Sequence, residues 1–161
     1  MSFSIEITGM EELVAKMNKL PDKGRKVAAQ ALYEGAGVVA DAVSSAVQGI
    51  ATEPFKYAAG GRTRKPSPEE KAILLQAKKG VARFKKSRTN INTSVGMQNS
   101  GYGTLKGKTK PIPLIANSIN SGTSFMEGQP FFRQAAETSA GTAAGVIEAG
   151  IQSRLDELSL D

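Results

Sequence analysis

The chain predicts an α+β fold: a small, mainly antiparallel sheet packed by two long helices. Three observations carry this expectation. Behind Pro130, apolar residues recur at steps of three and four through Phe131, Phe132, Ala135, Ala136, Ala143, Val146, Ile147, Ile151, Leu155 and Leu158, which is helical spacing. A second Ala- and Val-rich series with the same spacing runs from Val27 to Val47. Short segments at 3–8 and 91–97 instead alternate apolar and polar residues, the period of a half-buried strand. A chain of 161 residues with one such set of elements forms one domain, 1–161, carrying a basic insertion at about 50–112.

In chain order, Phe3, Ile5 and Ile7 mark the first strand, which Gly9 breaks. Met10 to Leu20 reads as a helix with Glu11 and Glu12 in its first turn, where the helix dipole favours negative charge. Pro21 ends it, and Asp22 is placed to cap the next helix, which runs to about Gly49. Gly35 and Gly37 lie inside that helix, where each costs about 1 kcal/mol relative to Ala. Close packing on a neighbouring element explains them best; a kink or a functional pair are the alternatives.

Ile50 to Lys65 reads as loop. Ser67-Pro68-Glu69-Glu70 then announces a helix: Ser67 as cap, Pro68 in the first turn and Glu70 reaching back. That helix is expected to run to Lys79, with Ala72, Leu75 and Lys79 on one face and Ile73 and Ala77 near another, and to stop at Gly80. Ile91, Thr93, Val95 and Met97 form a strand pattern. The glycines and prolines between Gly101 and Pro113 predict a loop, and Leu114 to Asn120 a short strand. The last element is the helix that follows Pro130, about seven turns long and able to back the sheet.

Composition excludes whole classes of chemistry. The chain has no His and no Cys, so imidazole bases, thiol nucleophiles, disulfides and standard zinc sites are absent. No P-loop, dinucleotide fingerprint or nucleophile elbow occurs, and no pair of carboxylates stands apart from ordinary surface acids. The expectation is therefore a protein that is not an enzyme and binds neither cofactor nor metal. There is no run of about eighteen apolar residues to span a membrane, and the start of the chain lacks a signal-peptide pattern.

Charge is unevenly placed. Between Lys56 and Lys110 lie 14 Lys/Arg and only two acids, Glu69 and Glu70, whereas the remainder has 7 basic and 13 acidic residues. The candidate docking or DNA-facing residues are Arg62, Arg64, Lys65, Lys78, Lys79, Arg83, Lys85, Lys86 and Arg88, with Phe55, Tyr57, Phe84 and Tyr102 interleaved. Three readings fit this excursion, which shows no apolar core of its own: contact with nucleic-acid phosphates, docking on an acidic partner surface, or a solvated arm. A stand-alone basic nucleic-acid-binding protein is accordingly the second function considered.

Several stretches carry a resemblance. ITGMEELVAKMNKL at 7–20, GRTRKPSPEEKAILLQAKKGVARF at 61–84, SVGM and NSGYG at 94–103, and LIANSINSGTSFMEGQPFFRQA at 114–135 resemble the phage head–tail joining family, the neck or tail-completion proteins of long-tailed siphophages and prophages. The most specific part is Ser121-Gly122-Thr123-Ser124 followed by Pro130-Phe131-Phe132-Arg133 and Ala135. The chain departs from the family at Asn120, where many members carry an acid, and in the helical insertion around Ser67–Lys79. The resemblance implies a tail-terminator-like fold and a structural virion assembly protein. Such a protein is a ring-forming component of the head–tail connector, with a hexamer favoured over a dodecamer, assembled in the host bacterial cytoplasm. It implies as partners the adjacent connector and tail-terminator or tail-tube proteins, and non-specific contact with DNA in the channel. Phe131 and Phe132 are expected to anchor the core, and Arg133 with the Gly122–Thr123 turn to set orientation at a subunit interface.

Overall fold

A computed structural model describes residues 3–4, 21–55, 60, 62–77, 80–81, 85–86, 91–97 and 101–159. The helix expected at Met10 to Leu20 and most of the first strand lie outside them. Among the described residues are four helices: α1 (Pro21–Gln48), α2 (Pro68–Gln76), α3 (Ile112–Ser121) and α4 (Phe131–Ser159). The strands are β1 (Phe3–Ser4), β2 (Gly80–Val81), β3 (Lys85–Lys86), β4 (Ile91–Asn92), β5 (Ser94–Gly96), β6 (Tyr102–Leu105) and β7 (Lys108–Pro111). All pairings between them are antiparallel: a three-stranded sheet in the order β1-β5-β2, and two-stranded pairs β3-β4 and β6-β7. The fold is a small α+β fold, as its sequence predicts.

Pro21 opens α1; the helix it was expected to end lies outside the described residues. A proline at the first helical position loses no hydrogen bond, and Asp22 acts from the first turn through the dipole rather than as the cap. Val27, Ala31, Val39, Val43 and Val47 put one face of α1 into the core.

The last helix was expected to back the sheet. It lies instead along α1. Val27 and Ala31, early in α1, share a cluster with Ile147 and Ile151, late in α4, while Val43 and Val47 share another with Phe131, Phe132 and Ala135. The two helices therefore run antiparallel. The physical reason is the side-chain size on both faces. A Cβ built on Gly35 would fall 2.6 Å from Cδ1 of Ile147, and one on Gly150 would fall 3.4 Å from Cβ of Ala31. Small residues let the backbones approach, and the short strands offer no comparable surface. Gly37 has open space above it, so close packing accounts for Gly35 alone.

Ser67 caps α2 and Glu70 completes the capping box. The helix ends at Gln76, with the Ala77 N–H donating to the Ile73 carbonyl, short of the expected Lys79. Of its two expected faces, the one carrying Ile73 and Ala77 turns inward. Leu74 is fully enclosed and Ala77 buried, whereas Leu75 is exposed and Ala72 also faces outward. Leu74, Ala77, Val95 and Met97 all belong to the main core cluster, so the basic insertion shares the molecule's core.

Two further expectations are corrected. Residues 114–120 form part of helix α3, not a strand. Ile112, Ile115, Ala116 and Ile119 are buried at helical spacing, and Pro113 sits in the first turn, where it is tolerated. The Gly-rich segment after Gly101 is not a loop but a hairpin. Leu105 pairs with Lys108 across Lys106 and Gly107, whose φ values of 49° and 74° are those of a tight two-residue turn matching the strand twist. Among the described residues no helix is long and apolar enough to cross a membrane.

Candidate functional site

Where the end of α1, the start of α2 and the start of α4 converge, three loop segments are tied together by polar bonds. Residues 62–66 run extended beside 123–127. The Arg64 N–H donates to the Phe125 carbonyl at 2.9 Å, and the Arg64 carbonyl accepts from the Glu127 N–H at 2.8 Å. The Glu53 N–H reaches the Pro66 carbonyl at 3.0 Å, and the Glu53 carboxylate accepts from the Lys65 N–H at 2.6 Å. Gln129 exchanges both amide atoms with the backbone of Ala51, at 2.9 and 2.8 Å. Lys71 Nζ donates to the carbonyls of Gln48 and Ile50 at 2.6 and 2.9 Å, satisfying acceptors that a helix end leaves open.

Arg64 and Glu70 form the centre of this node. Both guanidinium Nη atoms meet the two carboxylate oxygens at 2.7 Å, the bidentate geometry that makes Arg–carboxylate pairs strong. The side chains are only 12% and 5% exposed. Glu70 also accepts from the Ser67 N–H at 2.7 Å. Burial pushes the Glu70 carboxyl up and is the largest single effect on it. The hydrogen bonds from Arg64 and Ser67 and the charge of Arg64 together outweigh burial, holding the carboxyl below its ordinary value of 4.5. The hydrogen bond to Glu70 is the main reason that Arg64 is held above its ordinary range.

Phe55 joins the node to the hairpin. The Arg64 guanidinium lies 4.6 Å from its ring centroid, and Lys106 Nζ lies 3.0 Å from it, so one ring takes two cations. The hairpin's other end is fixed as well: the Ile112 N–H donates to the Gly101 carbonyl at 3.0 Å, and Gly103 lies so close to Ile73 that a Cβ would fall 2.6 Å from its Cγ2. Arg62, Lys65, Lys106, Lys108 and Lys110 are exposed around this corner.

The expected site residues divide accordingly. Arg62 and Lys65 stand on the surface, but Arg64 is enclosed in structural bonding and is corrected from a docking residue to a scaffold residue. Lys85 and Lys86 pair through backbone with Asn92 and Ile91 in β3-β4; Lys78, Lys79, Arg83 and Arg88 lie outside the described residues. Phe131 and Phe132 are buried and stacked, with centroids 4.7 Å apart. Arg133 is exposed and pairs with Glu137 at 2.8 Å. Gly122 has φ 78°, and a Cβ there would fall 2.8 Å from the Gly128 nitrogen, so the turn requires glycine. Thr123 Oγ1 accepts from the N–H groups of Phe125 and Met126.

Sequence reasoning missed Lys106, Lys108 and Lys110 as a group, because the hairpin that displays them was read as a loop. Asn120 was singled out only as a departure from the family; its buried Oδ1 accepts from the Phe132 N–H at 3.1 Å and closes the start of α4. Among the described residues no group of His, Cys, Asp and Glu is arranged to hold a metal ion. Compared with protein families, characterised proteins and solved structures, the chain matches none.

Proposed function

We propose that this chain is a structural virion assembly protein, a ring-forming component of the phage head–tail connector that helps join the DNA-filled head to the tail. The observation that carries the reading is where its most specific resemblance falls. Ser121 to Ala135 forms a heavily cross-linked turn: Gly122 against Gly128, Gln129 bonded to Ala51, Asn120 closing α4, and the Phe131–Phe132 stack beneath. Such a turn presents Thr123, Phe125 and Arg133 outward on a rigid base, which suits a subunit contact that must keep one orientation around a ring. The charged groups at the node, Arg64, Glu70, Glu53 and Lys71, hold backbone and each other. The ring is a hexamer in this reading, with connector and tail-terminator or tail-tube proteins on its two faces.

Deleting the gene from a particle-producing strain tests this. The expected result is DNA-filled heads and separate finished tails, restored to whole particles by the gene supplied in trans. Normal whole particles from the deleted strain would contradict the proposal.

A further inference from the structure

The hairpin β6-β7 is built to display lysines. Its turn places Lys106 at the tip, and Lys108 and Lys110 follow on one strand. All three are exposed, and among the described residues Lys108 and Lys110 make no ion pair. Residues two apart on a strand share a face and stand about 6.8 Å apart. Neighbouring phosphates on one strand of duplex DNA advance about 3.4 Å along the axis and also turn with the helix, which sets them roughly 6–7 Å apart, so that spacing matches adjacent phosphates. The ribbon's position is also fixed in advance, by Lys106 over Phe55 at the tip and by Gly103 against Ile73 near the base.

We propose that the β6-β7 hairpin is a duplex-DNA contact surface, with Lys108 and Lys110 meeting phosphates of one strand without reading sequence. Exposed Arg62 and Lys65, close in sequence to Arg64, which also contacts Phe55, extend the same positive field. An acidic protein partner suits the ribbon less well. Protein interfaces centre on buried aromatic and Arg anchors; the ribbon's one exposed aromatic, Tyr102, stands at its base, and from Thr104 to Lys110, where the lysines are, it carries only Thr, Lys, Gly and one half-buried leucine. Lysines on strand edges also serve to prevent edge pairing, so the test separates the two uses. The proposal deepens the head–tail reading by giving the channel DNA a surface. It is tested on the isolated chain, so it can fail or survive independently of ring assembly.

The experiment is fluorescence anisotropy with two labelled duplexes of unrelated sequence, from 50 to 200 mM salt, on wild type, K108A/K110A, K108R/K110R and K23A/K26A. The last removes the same charge from exposed positions at the start of α1. Wild type is expected to bind both duplexes equally. Each lost phosphate contact lowers the salt slope by about 0.9, so in K108A/K110A the loss of affinity across that salt range should shrink about ten-fold. K108R/K110R and K23A/K26A should keep the wild-type slope. No duplex binding by wild type at 50 mM salt would overturn the proposal. So would an unchanged slope in K108A/K110A, an equal loss in K23A/K26A, or tighter binding to polyglutamate than to DNA. Self-association of K108A/K110A with unchanged DNA affinity would assign the lysines to edge protection instead.

Discussion

The α1–α4 pair and the loop node are held together by different physics. Along the helix pair, contact is apolar and close: valines and alanines on α1 face Ala, Ile and Phe side chains on α4, and Gly35 lets Ile147 in. An interhelical ion pair, Glu34 with Arg154, is partly exposed, and such surface pairs contribute little. At the node the order is reversed. Backbone and side-chain hydrogen bonds, a bidentate ion pair and two cation–ring contacts tie three loops together around Phe55. Apolar packing is additive and forgiving of small rearrangement, whereas buried polar bonds fix orientation and fail severely when one partner is removed. The helix pair therefore provides stability and the node provides direction, and the surfaces proposed for partners and DNA are mounted on the node.

Substitutions sharpen that contrast. The largest loss is expected from Phe131→Ala, which empties the fully buried anchor where the two regions meet; unfolding by denaturant should show a loss of about 3–5 kcal/mol. Arg64→Ala should follow, at about 3 kcal/mol, because it leaves Glu70 buried without its cation. The helix pair is tested by two glycines two residues apart. Gly35→Ala should destabilise by about 1–2 kcal/mol, since the new methyl meets Ile147. Gly37→Ala, in open space, should instead stabilise by about 0.5–1 kcal/mol through helix propensity. Equal effects at the two positions would break the account of the close helix contact.

Acid distinguishes the regions more gently. Glu70 is held below 4.5 in the folded chain, so its contribution is complete above that value and is lost as pH falls through the lower, folded value. Wild-type stability should therefore decline as pH drops below about 4.5. Glu70→Gln, less stable at neutral pH, should decline less steeply over the same range. Parallel pH profiles would show that the pair contributes nothing at the node.

What was legible in the chain follows the same division. The helix pair could be read from Val27 to Val47 and from Phe131 to Leu158, because burial at helical spacing leaves a long periodic trace. The capping box of α2 was legible residue by residue, because Ser67, Pro68 and Glu70 act within four positions of one another. The node was not, since it depends on partners far apart in sequence, such as Ala51 with Gln129 and Asn120 with Phe132. Ile112, Ile115, Ala116 and Ile119 did carry a helical trace, but reading from Leu114 truncated it. The hairpin stayed hidden because a Lys-Gly turn is a weaker signal than Asn-Gly and the surrounding glycines and prolines suggest loop. The surface proposed for DNA lay in that misread segment.

The central claim, that this is a neck component, is tested most directly by cryo-electron microscopy of whole particles from the producing strain. The account predicts a ring at the head–tail junction, six-fold in the favoured reading, into whose subunits the α1–α4 pair fits, with the β6-β7 hairpin facing the central channel. A complete map of the junction with no density for this chain would contradict it.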